Sequence, residues 1–286
     1  MTRHMKSKRV LFITQEITPY LPDTDVSLLG RKMPQFVQEK GREIRTFMPK
    51  WGGINERRSQ LHEVIRLSGM NLIIDETDHL LIIKVASIPS ARMQVYFIDN
   101  DDYFMKRLEA CDEEGNEYAD NGERAIFYAR GVLETVKKLR WVPDIIHCQG
   151  WISAVAPLYI KTSYREEPSY RDSRIIFTPA GDDLKLPLTQ QFRANLKFKG
   201  LSDSDLEGFP EDATMMDLYK LALRNSNGML LTESCINQEL VDYAKELGLP
   251  IFGPVDVKSP DASTQVVDFF DSIWSEGKTP IEDPDM

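Results

Sequence analysis

Cysteine is scarce, with three residues, Cys111, Cys148 and Cys235, in a chain of 286. They are widely spaced, odd in number and never fall in a CxxC pair. A disulfide framework and a zinc site are therefore not expected, and a reducing cytoplasm fits the pattern. Glycine-rich phosphate loops are missing as well. Neither GxGxxG nor GxxxxGKS occurs, which sets aside dinucleotide and P-loop enzymes. HExxH, GxSxG and DxDxDG are absent, which lowers the metalloprotease, serine hydrolase and EF-hand readings, and no metal site is expected. Positive charge is in deficit. Lys and Arg number 35 against 45 Asp and Glu, a formal charge of −10, with a pI near 5.0. That balance argues against nucleic acid or an anionic membrane as partner and leaves a neutral ligand such as a sugar open. Long apolar runs are lacking too. The basic start MTRHMKSKRVLFIT holds only Val10 to Ile13, too short for a signal-peptide core or a membrane span. Met5 can equally be the true start.

What is present describes an α/β protein. The length suits one large domain or two small ones, and 42% hydrophobic content supports a packed core. The stretch from Arg9 to Gly52 reads as strand, long turn, helix, strand. Val10 to Ile13 is an unbroken apolar run, as in a strand buried on both faces. Leu28, Leu29, Met33, Phe36 and Val37 recur at helical spacing, and Gly41 stands where a helix stops. Ile44 to Met48 is the next strand. In such a unit the first turn lies at the carboxyl edge of a parallel sheet, where ligands bind.

Further along, residues 62–75, 79–88 and 93–99 read as three strands. Residues 99–122 are polar, with a short helix expected near Tyr103 to Leu108. A helix capped by Asn121 runs from Gly122 to Leu139. Strand 144–148, helix 152–162, strand 174–178, helix 212–224, strand 228–232 and helix 236–247 follow, and this alternation implies a parallel sheet with right-handed crossovers. Residues 179–212 are the least regular. The division expected is a Rossmann-like unit over 1–254 and an acidic, proline-containing tail over 255–286, in which Val266 to Trp274 forms a short amphipathic helix docking back on the body.

Candidate chemistry gathers at strand ends. His147 closes IIHCQGW, where a neutral imidazole can hydrogen-bond a sugar hydroxyl or be satisfied by backbone in the interior. Trp151 can stack on a sugar or pack the following helix. Glu16 can accept hydrogen bonds from a glycan or be a solvated loop acid. The acid pairs Asp101 and Asp102, Glu113 and Glu114, and Asp182 and Asp183 read as solvated surface, because neighbouring strand residues face opposite ways. Arg57 and Arg58 either clamp phosphate or are solvated.

Several strings together carry a resemblance. Gln94 to Phe104 (QVYFIDNDDYF) is similar to VYFIDNPDYF of bacterial glycogen synthases and plant starch synthases. Asp120 to Glu134 (DNGERAIFYARGVLE) is similar to their DNAERFAFFSRAVLE. Trp141 to Trp151 (WVPDIIHCQGW) is similar to WKPDVIHCHDW, and Leu218 to Ser234 loosely resembles the segment leading to TTVS. The resemblance spans roughly residues 8 to 250 and includes one-domain bacterial forms. It implies the amino-terminal Rossmann-like half of a two-domain GT-B glycosyltransferase, a parallel sheet flanked by helices. The implied reaction moves glucose from ADP-glucose to the non-reducing end of an α-1,4-glucan, with no cofactor.

The same resemblance marks departures. The family's Lys-Thr-Gly-Gly phosphate turn falls on Pro22, Asp23, Thr24 and Asp25, which offer acids in place of a cation and glycines. Its second His and its Asp fall on Gln149 and Gly150, and its Thr-Ile-His-Asn on Thr178, Pro179, Ala180 and Gly181. The chain ends near the family's interdomain linker, before the domain that would supply most of the nucleotide pocket. The resemblance therefore implies an α-glucan protein impaired or inactive as a single domain. The alternatives are a non-catalytic glucan-binding or regulatory subunit, or a chain whose cleft is completed by a homo-oligomer or partner. The catalytic residues stay unknown. Glu16, His147 and Trp151 are the residues expected to keep substrate contact.

Overall fold

The computed structural model describes residues 7–181, 184–233 and 236–276. Its elements are, in chain order, β1 (Arg9–Ile13), α1 (Asp25–Glu39), β2 (Glu43–Pro49), β3 (His62–Glu63), β4 (Met70–Ile74), β5 (Thr77–Ile88), β6 (Met93–Asp99) and α2 (Asn121–Lys138). Then come β7 (Ile145–Gln149), α3 (Ala156–Lys161), β8 (Arg174–Thr178), α4 (Phe192–Asn195), α5 (Met215–Arg224), β9 (Gly228–Thr232), α6 (Gln238–Glu246), β10 (Ile251–Val255) and α7 (Ala262–Ser275).

The strands form one sheet in the order β10-β9-β8-β7-β1-β2-β6-β5-β3, with β4 pairing β5 off the path. From β10 to β6 every neighbouring pair is parallel; β5 turns the edge antiparallel. This is the expected Rossmann-like α/β sheet. Val10, Leu11, Phe12 and Ile13 are fully buried, which is why β1 reads as an uninterrupted apolar run rather than an alternation.

The chain steps from β1 to β2 on one side and, after β6, returns to place β7 on the other side of β1. The junction of β1 and β7 is therefore the topological switch point, where crossovers diverge and leave a crevice at the strands' carboxyl ends.

Two elements differ from expectation. Residues 62–75 break into β3 and β4, because Leu67 and Ser68 donate their amides back to Val64 in a turn. No helix forms at 103–108. The Asn100 carboxamide oxygen takes the amides of Asp102 and Tyr103, and Arg124 takes the carbonyls of Tyr103, Leu108 and Glu109. These bonds compete with the helical ladder.

Fifteen of the eighteen residues of α2 are buried. Its outward side is covered by the irregular segment after β8, through Phe192 against Gly122 and Phe198 under Arg130, 3.8 Å from guanidinium to ring. α7 packs against α1 on the opposite face. There Val266, Phe270 and Ile273 are at most 1% exposed. Burying three such side chains stabilises the fold by roughly 1.5–3 kcal/mol each. Asp271 anchors the helix, pairing with Arg42 at 2.6 Å and accepting from the Ser7 amide and hydroxyl at 2.8 Å.

Candidate functional site

The switch point is built from the turns that follow β1 and β7. The chain leaving β1 is held from three sides. Thr14 donates to the Phe47 carbonyl through both its amide and its hydroxyl. Tyr128 donates to the Thr14 carbonyl at 2.8 Å, and the Trp51 indole to the Gln15 carbonyl at 2.8 Å. Trp51 is fixed in turn by Arg124, whose guanidinium lies 5.0 Å from its ring. Burial lowers the Arg124 pKa to about 9.

The turn that follows closes on itself. Thr24 caps α1, accepting the Ser27 amide while the Ser27 hydroxyl accepts the Thr24 amide. The Thr24 hydroxyl donates to Glu16 at 3.0 Å, and Thr18 donates to Asp23 at 2.5 Å. Asp25 opens the helix and complements its positive end. One amide of the α1 N-terminus, that of Ser27, is thus taken by the protein's own oxygen, and Asp23 and Asp25 stand exposed beside it. No Cβ can be tolerated at Gly30, where it would lie 2.0 Å from the Glu16 carbonyl oxygen. That close approach seats α1 on the turn.

β7 closes the other side. Gln149 is fully buried and donates to the Val26 carbonyl in the first turn of α1 at 2.9 Å. Gly150 takes φ 78° and ψ 173°. A Cβ there would lie 2.2 Å from the Gln15 amide oxygen, which itself accepts the Trp151 amide at 3.2 Å. The segments that depart from the resembled pattern, Pro22 to Asp25 and Gln149 to Gly150, therefore flank the same α1 turn. Beyond them the edge opens into a cavity of about 240 Å³ whose lining includes Asp25, Glu233, Asp256 and Lys258.

Glu16 is half-buried at this edge, bonded to Gln15 and Thr24. His147 does not reach the edge as expected. It lies within β7, 1% exposed, with Nε2 2.8 Å from the Thr178 hydroxyl and its ring against Phe12 and Phe270. The reason is α7, which covers this face of the sheet. Burial holds the His147 pKa down to about 3, so the ring is neutral. Trp151 is fully buried, its ring 6.3 Å from that of Trp51. Asp102 pairs with His79 at 2.9 Å, while Asp101, Glu113, Glu114, Arg57 and Arg58 are exposed. Asp182, Asp183 and Cys235 lie outside the described residues. Among the described residues no group of three or more His, Cys, Asp or Glu is placed to hold a metal, and no helix is long and apolar enough to cross a membrane. Gln15 and Trp51, which fasten the turn, had no sequence signal. Thr24 and Ser27 are a capping box with Ser in place of the usual Glu or Gln.

A family model described as the starch synthase catalytic domain matches residues 9–246. The chain belongs to this family. Glycogen synthase of Pelodictyon phaeoclathratiforme (strain DSM 5477 / BU-1) is 37% identical over 171 residues, 59% of this chain and 35% of that protein. Glycogen synthase of Chlorobium luteolum (strain DSM 273 / BCRC 81028 / 2530) is 36% identical over 174 residues, 60% and 36% of the two. The chain thus spans about a third of the length of the curated relatives it matches. Among solved structures, the catalytic domain of starch synthase IV from Arabidopsis thaliana, bound to ADP and acarbose, superposes with a TM-score of 0.64. The match has 17% identity and covers 80% of this chain and 45% of that one. At that identity the likeness shows the GT-B fold alone. This starch synthase-type domain keeps the family's scaffold, and its switch point is fastened by side-chain contacts of its own.

Proposed function

We propose that this chain serves α-glucan metabolism in the cytoplasm as a starch synthase-type domain that engages glucan without itself transferring glucose. The family reaction adds glucose from ADP-glucose to the non-reducing end of an α-1,4-glucan. One observation carries the departure from it. The turn Pro22 to Asp25 caps α1 through Thr24 and presents two exposed carboxylates where a diphosphate would need cations. Each carboxylate opposes a phosphate charge by about 1 kcal/mol at 4 Å in water, and by more where water is excluded. Gln149 and Gly150 support the same reading, since they tie the neighbouring strand to that turn. Retention of the family scaffold favours a glucan-binding or regulatory role over loss of all function.

Three measurements on the purified chain test this. Calorimetric titration with ADP-glucose should show no saturable heat at millimolar concentration. Labelled glucose should not pass to a glycogen primer. Glycogen should co-sediment the protein. Saturable ADP-glucose binding or turnover above blank would restore the enzyme reading, and failure to co-sediment at high glycogen would remove the glucan role.

A further inference from the structure

At the amino edge of the sheet, far from the switch point, the C-terminal half of α1 faces the turn Pro89–Ala91 between β5 and β6. A cavity of about 420 Å³ lies between them, lined by Gln38, Glu39, Ser90, Ala91 and Arg92. The Arg31 guanidinium approaches from two turns earlier, donating through Nη2 to the Ser90 hydroxyl at 2.9 Å. Among the described residues neither Arg31 nor Arg92 meets a carboxylate at ion-pair distance. In a chain with ten more acids than bases, that leaves the lining Arg92, and Arg31 on the lining Ser90, without a carboxylate partner. Among the described residues the buried Arg31 Nε has no hydrogen-bond partner. A buried donor without an acceptor is costly and marks a place where one belongs.

We propose that this cavity is a binding site for a phosphate group. A guanidinium presents paired N–H donors in a plane that matches a phosphate's oxygens. Arg31 and Arg92 supply the charge, and the Ser90 hydroxyl adds a neutral donor at the rim; the Gln38 amide donates to the Arg92 carbonyl at 3.0 Å and fixes that turn. The opposing terms are smaller. Glu39 lines the cavity, its carboxylate engaged by Gln35 at 2.7 Å, and the C-terminal end of α1 carries about half a negative charge. Two full positive charges outweigh their sum. The volume exceeds what inorganic phosphate fills, so the ligand class is a phosphate monoester with a small polar body.

Titration with inorganic phosphate and with a hexose monophosphate, by calorimetry at fixed ionic strength, tests the proposal. Saturable binding with one site per chain is expected, tighter for the ester; equal binding assigns the site to free phosphate. Arg31→Gln and Arg92→Gln should each weaken it at least about tenfold, near 1.4 kcal/mol. Arg31→Lys should fail to restore it, because the planar fork is lost. Lys245→Gln, on α6, should leave it unchanged. Arg92 is exposed, so Arg92→Gln keeps the fold, and its thermal melt should match that of the parent. Absence of saturation on the order of 10 mM, or equal affinity in Arg31→Gln and Arg92→Gln, overturns the site. Glycogen co-sedimentation by the same variants should be unaffected, which separates this result from the fate of the glucan reading.

Discussion

Replacing Gly150 with Ala tests how the switch point is held. The backbone there, φ 78° and ψ 173°, lies in a region open essentially to glycine alone, and a side chain costs about 1–3 kcal/mol. The new Cβ would also stand 2.2 Å from the Gln15 amide oxygen and 2.9 Å from the Gln15 Cβ. Gln15 is fully buried and bonded to the Trp151 amide, so it cannot swing aside without losing that bond. Overpacking of this kind adds about 1–3 kcal/mol. Gly150→Ala should therefore destabilise the protein by about 2–6 kcal/mol, a Tm drop of roughly 4–24 °C for a chain of this size. Calorimetry on Gly150→Ala, Gln15→Ala and the double variant separates the two parts. Gln15→Ala should remove the clash with the amide while keeping the 2.9 Å contact with Cβ and the backbone strain, giving a coupling of about 0.5–2 kcal/mol. A loss below about 0.5 kcal/mol in Gly150→Ala, or no relief in the double variant, would refute the geometry. The same numbers say that Asp, the residue of the resembled pattern, cannot be returned to this position alone.

Other outcomes follow from residues already described. His147 has its pKa lowered from the ordinary 6.5 to about 3. Between those values the unfolded chain binds a proton that the folded chain refuses, so stability should fall by up to about 1.4 kcal/mol per unit as pH drops from 6.5 toward 3. Denaturant midpoints across that range, flattened in His147→Gln, would show it; a pH-independent difference between the two proteins would contradict it. Asp271→Ala strands the largely buried Arg42 charge and the Ser7 donors, and should cost about 3–5 kcal/mol in urea unfolding. Thr24→Ala removes the α1 cap and its bond to Glu16, an expected loss of about 1–2 kcal/mol by the same assay.

The sheet was legible because its strands are buried on both faces. Runs such as Val10 to Ile13 and residues 174–178 and 228–232 carry that burial directly in their composition. β10 left no such signature: Gly253 and Pro254 interrupt it, and both are exposed at the sheet's edge. The site was less legible than the fold. Position along β7 suggested that His147 would face the crevice, but which face of the strand is open depends on α7, more than a hundred residues away. The departure at Gln149 and Gly150 could be read from the sequence. What they do there could not, since it rests on contacts with Val26 and Gln15 across strand boundaries. The loop after β6 was misread as helical because the competition from Asn100 and Arg124 is tertiary.

The family match ends at residue 246, yet α7 begins at residue 262 and its Phe270 closes over Phe12 and His147 in the middle of the sheet. Inheritance and cooperativity therefore draw different borders through this polypeptide. A gene fragment trimmed to the shared region would encode every recognisable string of the family. It would also leave the face above β1 and β7 bare to water, and the product should be recovered from inclusion bodies. In tracing how such domains are cut and rejoined over evolution, the last helix has to travel with the shared region, because its Phe270 belongs to the core of the first strand.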